Sequence, residues 1–169
     1  MTAARQKRKR YCFGIAAFAG LLAYAGVAFV LAAGPGASAD ERIVVDWHTG
    51  IAIDGYDPVA FFTDGKPAQG SADLELRQGG VVWRFTNVGN RAAFAATPNV
   101  YMPQYGGYDP VGVARGLAVA GNPNVWMITG QRLFLFYDSV RRQKFAGDPN
   151  RVIASADRKW PEVQHTLTP

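Results

Sequence analysis

The sequence predicts a small α+β domain of β-hairpins and short helices, preceded by an N-terminal transmembrane or signal helix. Three observations lead to this prediction. An apolar run fills residues 11–33, two Asp-Pro pairs mark helix starts, and two pairs of apolar-rich stretches flank glycine turns. We therefore assign residues 1–39 to a basic head and the apolar run, residues 40–160 to the domain, and residues 161–169 to a polar tail.

The N-terminal segment has the charge pattern of an exported protein. Five Lys or Arg residues precede Tyr11, and residues 11–33 carry no charge. As a helix this run would rise roughly 34 Å, which is enough to cross a bilayer. The basic head stays cytoplasmic, so the domain faces the periplasm. Because Ala37-Ser38-Ala39 has the form of a signal-peptidase site, two alternatives stay open: an inner-membrane anchor, or a periplasmic protein released by cleavage.

Composition argues against several classes of function. Beyond residue 10, 13 basic residues balance 13 acidic ones, so the basic pI does not indicate binding to nucleic acid. The single cysteine, Cys12, lies within the apolar run and leaves the domain without a disulfide or a thiolate nucleophile. A basic cluster near the C-terminus predicts either an anionic contact face or the solvated side of helices. Its members are Arg141, Arg142, Lys144, Arg151, Arg158 and Lys159.

The first half of the domain reads as a strand, a helix start and a hairpin. Residues 43–45 predict a short strand, and Asp57-Pro58 predicts a helix start, because the carboxylate caps free N–H groups and Pro fits the first turn. Residues 74–77 and 81–85 flank Gly79-Gly80 and predict a β-hairpin.

The second half predicts three helices around another hairpin. Asn87 or Asn90 caps a helix that Pro98 ends, and Asp109-Pro110 opens one that Gly116 closes. Residues 124–127 and 133–137 predict a second hairpin. Asp148-Pro149 then opens a final helix, and we expect Pro161 to stop it. The four tryptophans are expected in the core: Trp47, Trp83, Trp126 and Trp160.

One phrase occurs twice. Gly-Tyr-Asp-Pro-Val stands at residues 55–59 and again at residues 107–111, and beyond it we find no regular period. Each copy places a Tyr and an Asp at a helix start, so the two starts could face each other across one pocket. The candidate ligand-binding residues are Tyr56, Asp57, Tyr105, Tyr108 and Asp109. The competing interpretation is structural, with the aspartates as N-caps and the tyrosines as packed rings.

Metal and catalytic signals are weak. Asp57, Asp109 and His48 are candidate ligands, since paired carboxylates suit hard cations such as Ca²⁺, Mg²⁺ or Mn²⁺. His165 falls in the predicted tail. The sequence has no phosphate-binding loop, dinucleotide fingerprint or serine-hydrolase elbow, so we do not expect an enzyme, and the cofactor is unknown.

The motifs resemble a known family. Residues 54–62, Trp83-Arg84-Phe85 and the run at residues 101–108 are similar to the YHS domain proteins, in their exported bacterial branch, over about Ile51 to Trp160. The resemblance implies a small α+β domain, usually regarded as metal-related, with no established enzyme activity. The family usually has Cys directly after its Gly-Gly-Tyr, where this chain has Asp109.

The prediction for function is an exported YHS-like binding or accessory module that is not an enzyme. It would be metal-related or bind a small ligand, with the membrane as one partner through the N-terminal segment and an unknown envelope protein or small ligand as another. The alternative is a structural or protein-interaction domain that has lost the family's metal role.

Overall fold

The computed structural model describes residues 42–167, which all belong to the compact unit Ala37–Pro169. These residues form a small α+β domain of β-hairpins and short helices, as the sequence predicts, and the structure has two hairpins and six helices within this range. The predicted transmembrane or signal helix lies outside the described residues. Within residues 42–167, no helix combines the length and the apolar character needed to cross a bilayer.

The elements follow one another with short connections. A 3₁₀ turn comes first in each half, at Ile53–Gly55 and at Gln104–Gly107. The other elements are α1 Ala60–Thr63, β1 Ser71–Gln78, β2 Val81–Phe85, α2 Val88–Ala96, α3 Pro98–Tyr101, α4 Pro110–Val113, β3 Asn122–Thr129, β4 Arg132–Phe136, α5 Ser139–Gly147 and α6 Pro149–Thr166. Strands β1 and β2 pair antiparallel in one sheet, and β3 and β4 pair antiparallel in another.

The two hairpins share one register. In the first, Ser71 lies opposite Phe85, and the register then shifts before Glu75 pairs with its neighbour on β2. In the second, Asn122 lies opposite Phe136, with the same shift before Trp126. The irregularity therefore falls at the same place in both hairpins. Each residue of the second hairpin lies 51 positions after its counterpart in the first.

The match extends from the hairpins to the turns before them. Gly70 donates its N–H to the carbonyl of Gly55 at 2.9 Å, and Gly121 donates to the carbonyl of Gly107 at 3.0 Å. Neither Gly70 nor Gly121 has room for a Cβ atom, because it would collide with the partner strand. The domain is thus two copies of one unit: a 3₁₀ turn, an Asp-Pro helix start, a hairpin and helices. The expectation of no period beyond the repeated phrase was wrong at the level of structure.

Each copy contributes a matching pair of aromatic rings to the core. In the first, the rings of Trp83 and Phe94 lie 4.9 Å apart, centroid to centroid. In the second, Phe134 and Phe145 occupy the corresponding places at the same 4.9 Å. All four side chains are fully buried. A sheet of two strands is marginal alone, so each hairpin depends on packing of this kind between a strand and a helix.

The C-terminal helix was predicted too short. We expected Pro161 to stop it, but α6 continues through this residue to Thr166. A proline inside a helix costs about 3 kcal/mol, whereas burying a Val side chain contributes roughly 1.5–3 kcal/mol. Val163 is only 2% exposed and lies beyond the proline, so its packing offsets most of the penalty. His165 consequently lies in the last turn of α6 and not in a tail.

Other predictions need smaller corrections. Trp47 is 82% exposed and is not a core residue, in contrast to the fully buried Trp83. The strand expected at residues 43–45 is reduced to a single bridge between Val45 and Ala52. Gly116 does close α4 as expected: it has φ of 80°, its N–H donates to the Val113 carbonyl, and the Leu117 N–H donates to the Gly112 carbonyl. Helix α5 was not predicted, because it buries only Phe145 and has little apolar periodicity.

Candidate functional site

Asp57 lies at the start of the first Asp-Pro turn and is fully buried. Its Oδ1 accepts hydrogen bonds from the backbone N–H groups of Val59 at 2.9 Å and Ala60 at 3.3 Å. Its Oδ2 accepts three more, from the Thr86 N–H at 2.8 Å, the Thr86 hydroxyl at 2.7 Å and the Asn90 side-chain amide at 2.7 Å. The carboxylate thereby ties the start of α1 to the end of β2 and to α2. Since five donors surround its two oxygens, its capacity to accept further bonds is nearly filled.

Asp109 holds the corresponding place in the second copy and is also fully buried. It caps α4 by accepting from the Gly112 N–H at 2.8 Å, and its Oδ2 accepts from the Tyr137 N–H at 2.8 Å. The third partner is a cation, since Arg141 Nη1 lies 3.7 Å from Oδ1. That nitrogen is buried and has no hydrogen-bond partner within the described residues, so the buried carboxylate is its compensation.

The three candidate tyrosines are held in place by the fold. The Tyr56 hydroxyl exchanges hydrogen bonds with the Asn124 side chain, at 3.0 Å from the amide nitrogen. The Tyr105 hydroxyl donates a hydrogen bond to the Asp157 carboxylate at 2.8 Å. Burial, and to a smaller extent this carboxylate, raises the pKa of the Tyr105 phenol well above its usual range. Burial also raises the pKa of Tyr108.

The structure groups these residues by copy. The rings of Tyr105 and Tyr108 lie 5.7 and 6.0 Å from the ring of Trp160 on α6. Tyr56 instead packs against the first core with Asp57 beside it in the chain. The sequence suggested that the two helix starts could face each other across one pocket; in the structure Tyr56 packs with the first core cluster, and Tyr105 and Tyr108 belong to the second.

The turn that carries Tyr105 explains the glycines after it. Tyr105 itself has φ of 54°, and Gly106 has φ of 61°. A Cβ atom on Gly106 would run into the backbone carbonyl of Arg42. Gly106 therefore provides both a positive φ and a close backbone approach.

The third metal candidate, His48, is exposed. Its Nδ1 lies 3.8 Å from Asp46 Oδ1. The backbone N–H groups of Thr49 and His48 lower the pKa of Asp46 by bonding to its carboxylate. Over residues 42–167, no group of three or more His, Cys, Asp or Glu side chains is placed to hold a metal ion.

One cavity was not foreseen from the sequence. It has a volume of about 310 Å³ and lies where α4, α5 and α6 meet. Its lining combines apolar residues with basic ones, and a serine completes it: Val111, Ala114, Val152, Arg115, Lys144, Arg151 and Ser155. Of these, only Lys144 and Arg151 belong to the basic cluster that the sequence singled out. Alignment of the two copies would have given a signal, because the basic positions are not basic in the first copy.

Comparisons with protein-family models, with characterised proteins and with solved structures find no match for this chain. The resemblance to the YHS proteins therefore stays a prediction from the motifs.

Proposed function

We propose that this chain is a YHS-like binding module outside the cytoplasmic membrane, without enzymatic activity. In this proposal residues 11–33 either anchor it in the membrane or are removed after export. The module binds a small ligand or an envelope protein, and it does not use a metal at its Asp-Pro turns.

The observation that carries the proposal is the environment of Asp57. Five hydrogen bonds to a fully buried carboxylate tie three elements together. A cation at this site would have to displace several of these donors, and each buried donor left without a partner costs about 1–3 kcal/mol. Asp109 is bound to two backbone N–H groups and has Arg141 beside it, which disfavours a second positive charge. Both carboxylates thus serve the fold, and the site for binding lies elsewhere.

A metal titration of the purified full chain tests this proposal. We expect no stoichiometric binding of Zn²⁺, Cu⁺ or Mn²⁺ by calorimetry, in the wild type or in the Asp57→Asn and Asp109→Asn variants. Tight binding of one metal ion per chain that either variant abolishes would contradict the proposal. It would support a metal-related module in which the carboxylate has inherited the ligand role.

Export is tested separately. A reporter that is active only outside the cytoplasm, fused after Ala39, should give activity, and one that is active only in the cytoplasm should not. Mass spectrometry of the native protein then separates the two alternatives, since a mature N-terminus at Asp40 requires cleavage. The opposite reporter pattern would refute the proposed location.

A further inference from the structure

We propose that the cavity between α4, α5 and α6 binds a small organic anion, with an acidic head group and a short apolar body. The inference names a ligand class for the binding module proposed above and rests on that function. Apolar side chains from α4 and α6, Val111 and Val152, form part of the cavity wall. Three exposed cations from different elements also line it: Arg115, Lys144 and Arg151. An apolar pocket with a few converging polar groups is the usual form of a small-molecule site.

The charges of the cavity are poorly compensated within the protein. Neither Arg115 nor Lys144 has an acidic side chain within ion-pair distance in the part of the chain that the structure describes. Arg151 is partly neutralised by Asp148, whose carboxylate lies 3.6 Å away on the exposed side of α6. No Asp or Glu lines the cavity. A bound carboxylate or phosphate would therefore gain charge-assisted hydrogen bonds without displacing an internal partner from two of the three cations.

Ser155 adds a neutral donor. Its Oγ accepts a hydrogen bond from Arg158 Nη2 at 3.3 Å. The hydroxyl proton remains available, so Ser155 can donate to an acceptor oxygen in the cavity. The combined lining thus offers donors to an anion on one side and apolar surface on the other.

The first copy supplies an internal comparison. Ala114 and Val152 correspond to Phe62 and Tyr101, which precede them by 52 and 51 positions. In the first copy these two aromatic rings pack edge to face, with centroids 5.6 Å apart. In the second copy Ala and Val leave the corresponding space open, and the cavity lies there. The opening is therefore specific to the second copy and is not a general defect of the fold.

The charges changed at the same places. The three cations of the cavity correspond to uncharged residues of the first copy: Thr63, Ala93 and Val100. The second copy has two small residues and three cations where the first has two aromatic rings and no charge, and this combination of open space and positive charge supports an anionic ligand. Solvated surface alone would account for the cations, but not for the small side chains that stand where the first copy has two half-buried, packed aromatic rings.

Calorimetry on the full chain in phosphatidylcholine nanodiscs tests the inference. Hexyl phosphate is the probe. Inorganic phosphate, which keeps only the anionic group, and hexanol, which keeps only the apolar chain, are the controls. We expect saturable binding of one hexyl phosphate per chain, at least tenfold weaker binding of inorganic phosphate because it lacks the apolar part, and no measurable binding of hexanol. Equal binding of hexanol and hexyl phosphate would overturn the assignment of an anion site.

Variants locate the binding. Arg115→Gln with Lys144→Gln should weaken hexyl phosphate at least tenfold, whereas Arg142→Gln, on α5 but outside the cavity, should change it less than twofold. Ala114→Phe with Val152→Tyr restores the aromatic pair of the first copy and should abolish binding. If that variant fails to fold, the charge variant decides. Unchanged affinity in the charge variant would refute the inference.

Two further comparisons identify the source of the anion and distinguish failure of this inference from failure of the proposed function. Weaker hexyl phosphate binding in nanodiscs that contain phosphatidylglycerol would identify a lipid head group as the source of the anion. Equal binding in both lipids would support a dissolved ligand. Absence of anion binding together with absence of metal binding would refute only this inference, because the proposed binding module could still take an envelope protein. Metal binding at Asp57 or Asp109 would refute the proposed function itself.

Discussion

Replacing Asp109 with Asn should destabilise the domain by about 3 kcal/mol, although Asn is as good a helix cap as Asp. The reason lies in the partners of the carboxylate. If the Asn oxygen keeps the Gly112 N–H, the NH₂ group faces the Tyr137 N–H; in the opposite orientation the NH₂ group faces both the Gly112 N–H and Arg141. The cap alone would predict that this variant keeps most of its stability, but that reasoning leaves out the other two partners of the carboxylate.

The magnitude follows from two losses. One buried donor left without a partner costs about 1–3 kcal/mol. Removing one member of a buried ion pair costs about 3–5 kcal/mol. The second figure is reduced here, because the Arg141 side chain is 29% exposed and can recover part of its hydration. We therefore expect about 3 kcal/mol for Asp109→Asn and about 4 kcal/mol for Asp109→Ala, since the latter also removes the cap.

Asp138→Asn is the matched control. Asp138 caps α5 by accepting from the Arg141 N–H at 2.8 Å, and no second partner requires its charge. The Asp138→Asn substitution should change the free energy of unfolding by less than about 0.5 kcal/mol. Urea denaturation of the full-length variants, followed by tryptophan fluorescence, gives the free energies of unfolding. A loss below about 1 kcal/mol for Asp109→Asn, or one equal to that of the control, would refute the reasoning.

Three further predictions test the fold. Trp83→Ala should cost about 3–5 kcal/mol in the same denaturation assay, whereas Trp47→Ala should stay within about 0.5 kcal/mol, because only the first side chain is buried; similar losses for both would contradict the packing. Gly106→Ala should be clearly more destabilising by thermal unfolding than Gly116→Ala, because both have positive φ but only Gly106 faces a backbone carbonyl; equal effects would argue against the close approach. Tyr105→Phe should cost about 1 kcal/mol and remove one late-ionising phenol from an absorbance titration at alkaline pH. Folding raises the pKa of this phenol, so its protonated form adds to the free energy of unfolding at pH values below the pKa of the unfolded chain. This contribution is lost as the pH rises through the pKa of the folded protein. A titration identical to the wild type would exclude the assignment.

Sequence reasoning found the local structure where the chemistry is local. The Gly79-Gly80 turn between two stretches of strand-forming residues identified the first hairpin, and Asp148-Pro149 identified the start of α6. In each case the deciding contacts lie within a few residues of one another. The Asp148 side chain accepts from the Arg151 N–H at 3.1 Å, only three positions away.

The duplicated architecture could not be read in the same way. The copies share burial and volume more than identity, so that the place of Trp83 is taken by Phe134. Two such residues correspond only because they are packed in matching places of the two copies, and the sequence does not show that packing. A short similarity does remain: Phe94 and Phe145 are each followed by Ala and, three positions further on, by Pro-Asn. This signal could have revealed the second unit.

The sequence by itself determined the turns, the caps and the charge balance of this protein, because each depends on neighbours within about four residues. Tertiary structure alone decided the partners of the two buried aspartates and the place of the cavity. Asp109 meets Arg141 only because the hairpin and the turn into α5 bring back a residue 32 positions away. The cavity exists because Ala114 and Val152, on separate helices, are both too small to fill the space that Phe62 and Tyr101 fill in the first copy. Whether a space is filled and whether a charge is compensated depend on tertiary neighbours that are distant in sequence. These neighbours cannot be read from the local order of residues along the chain.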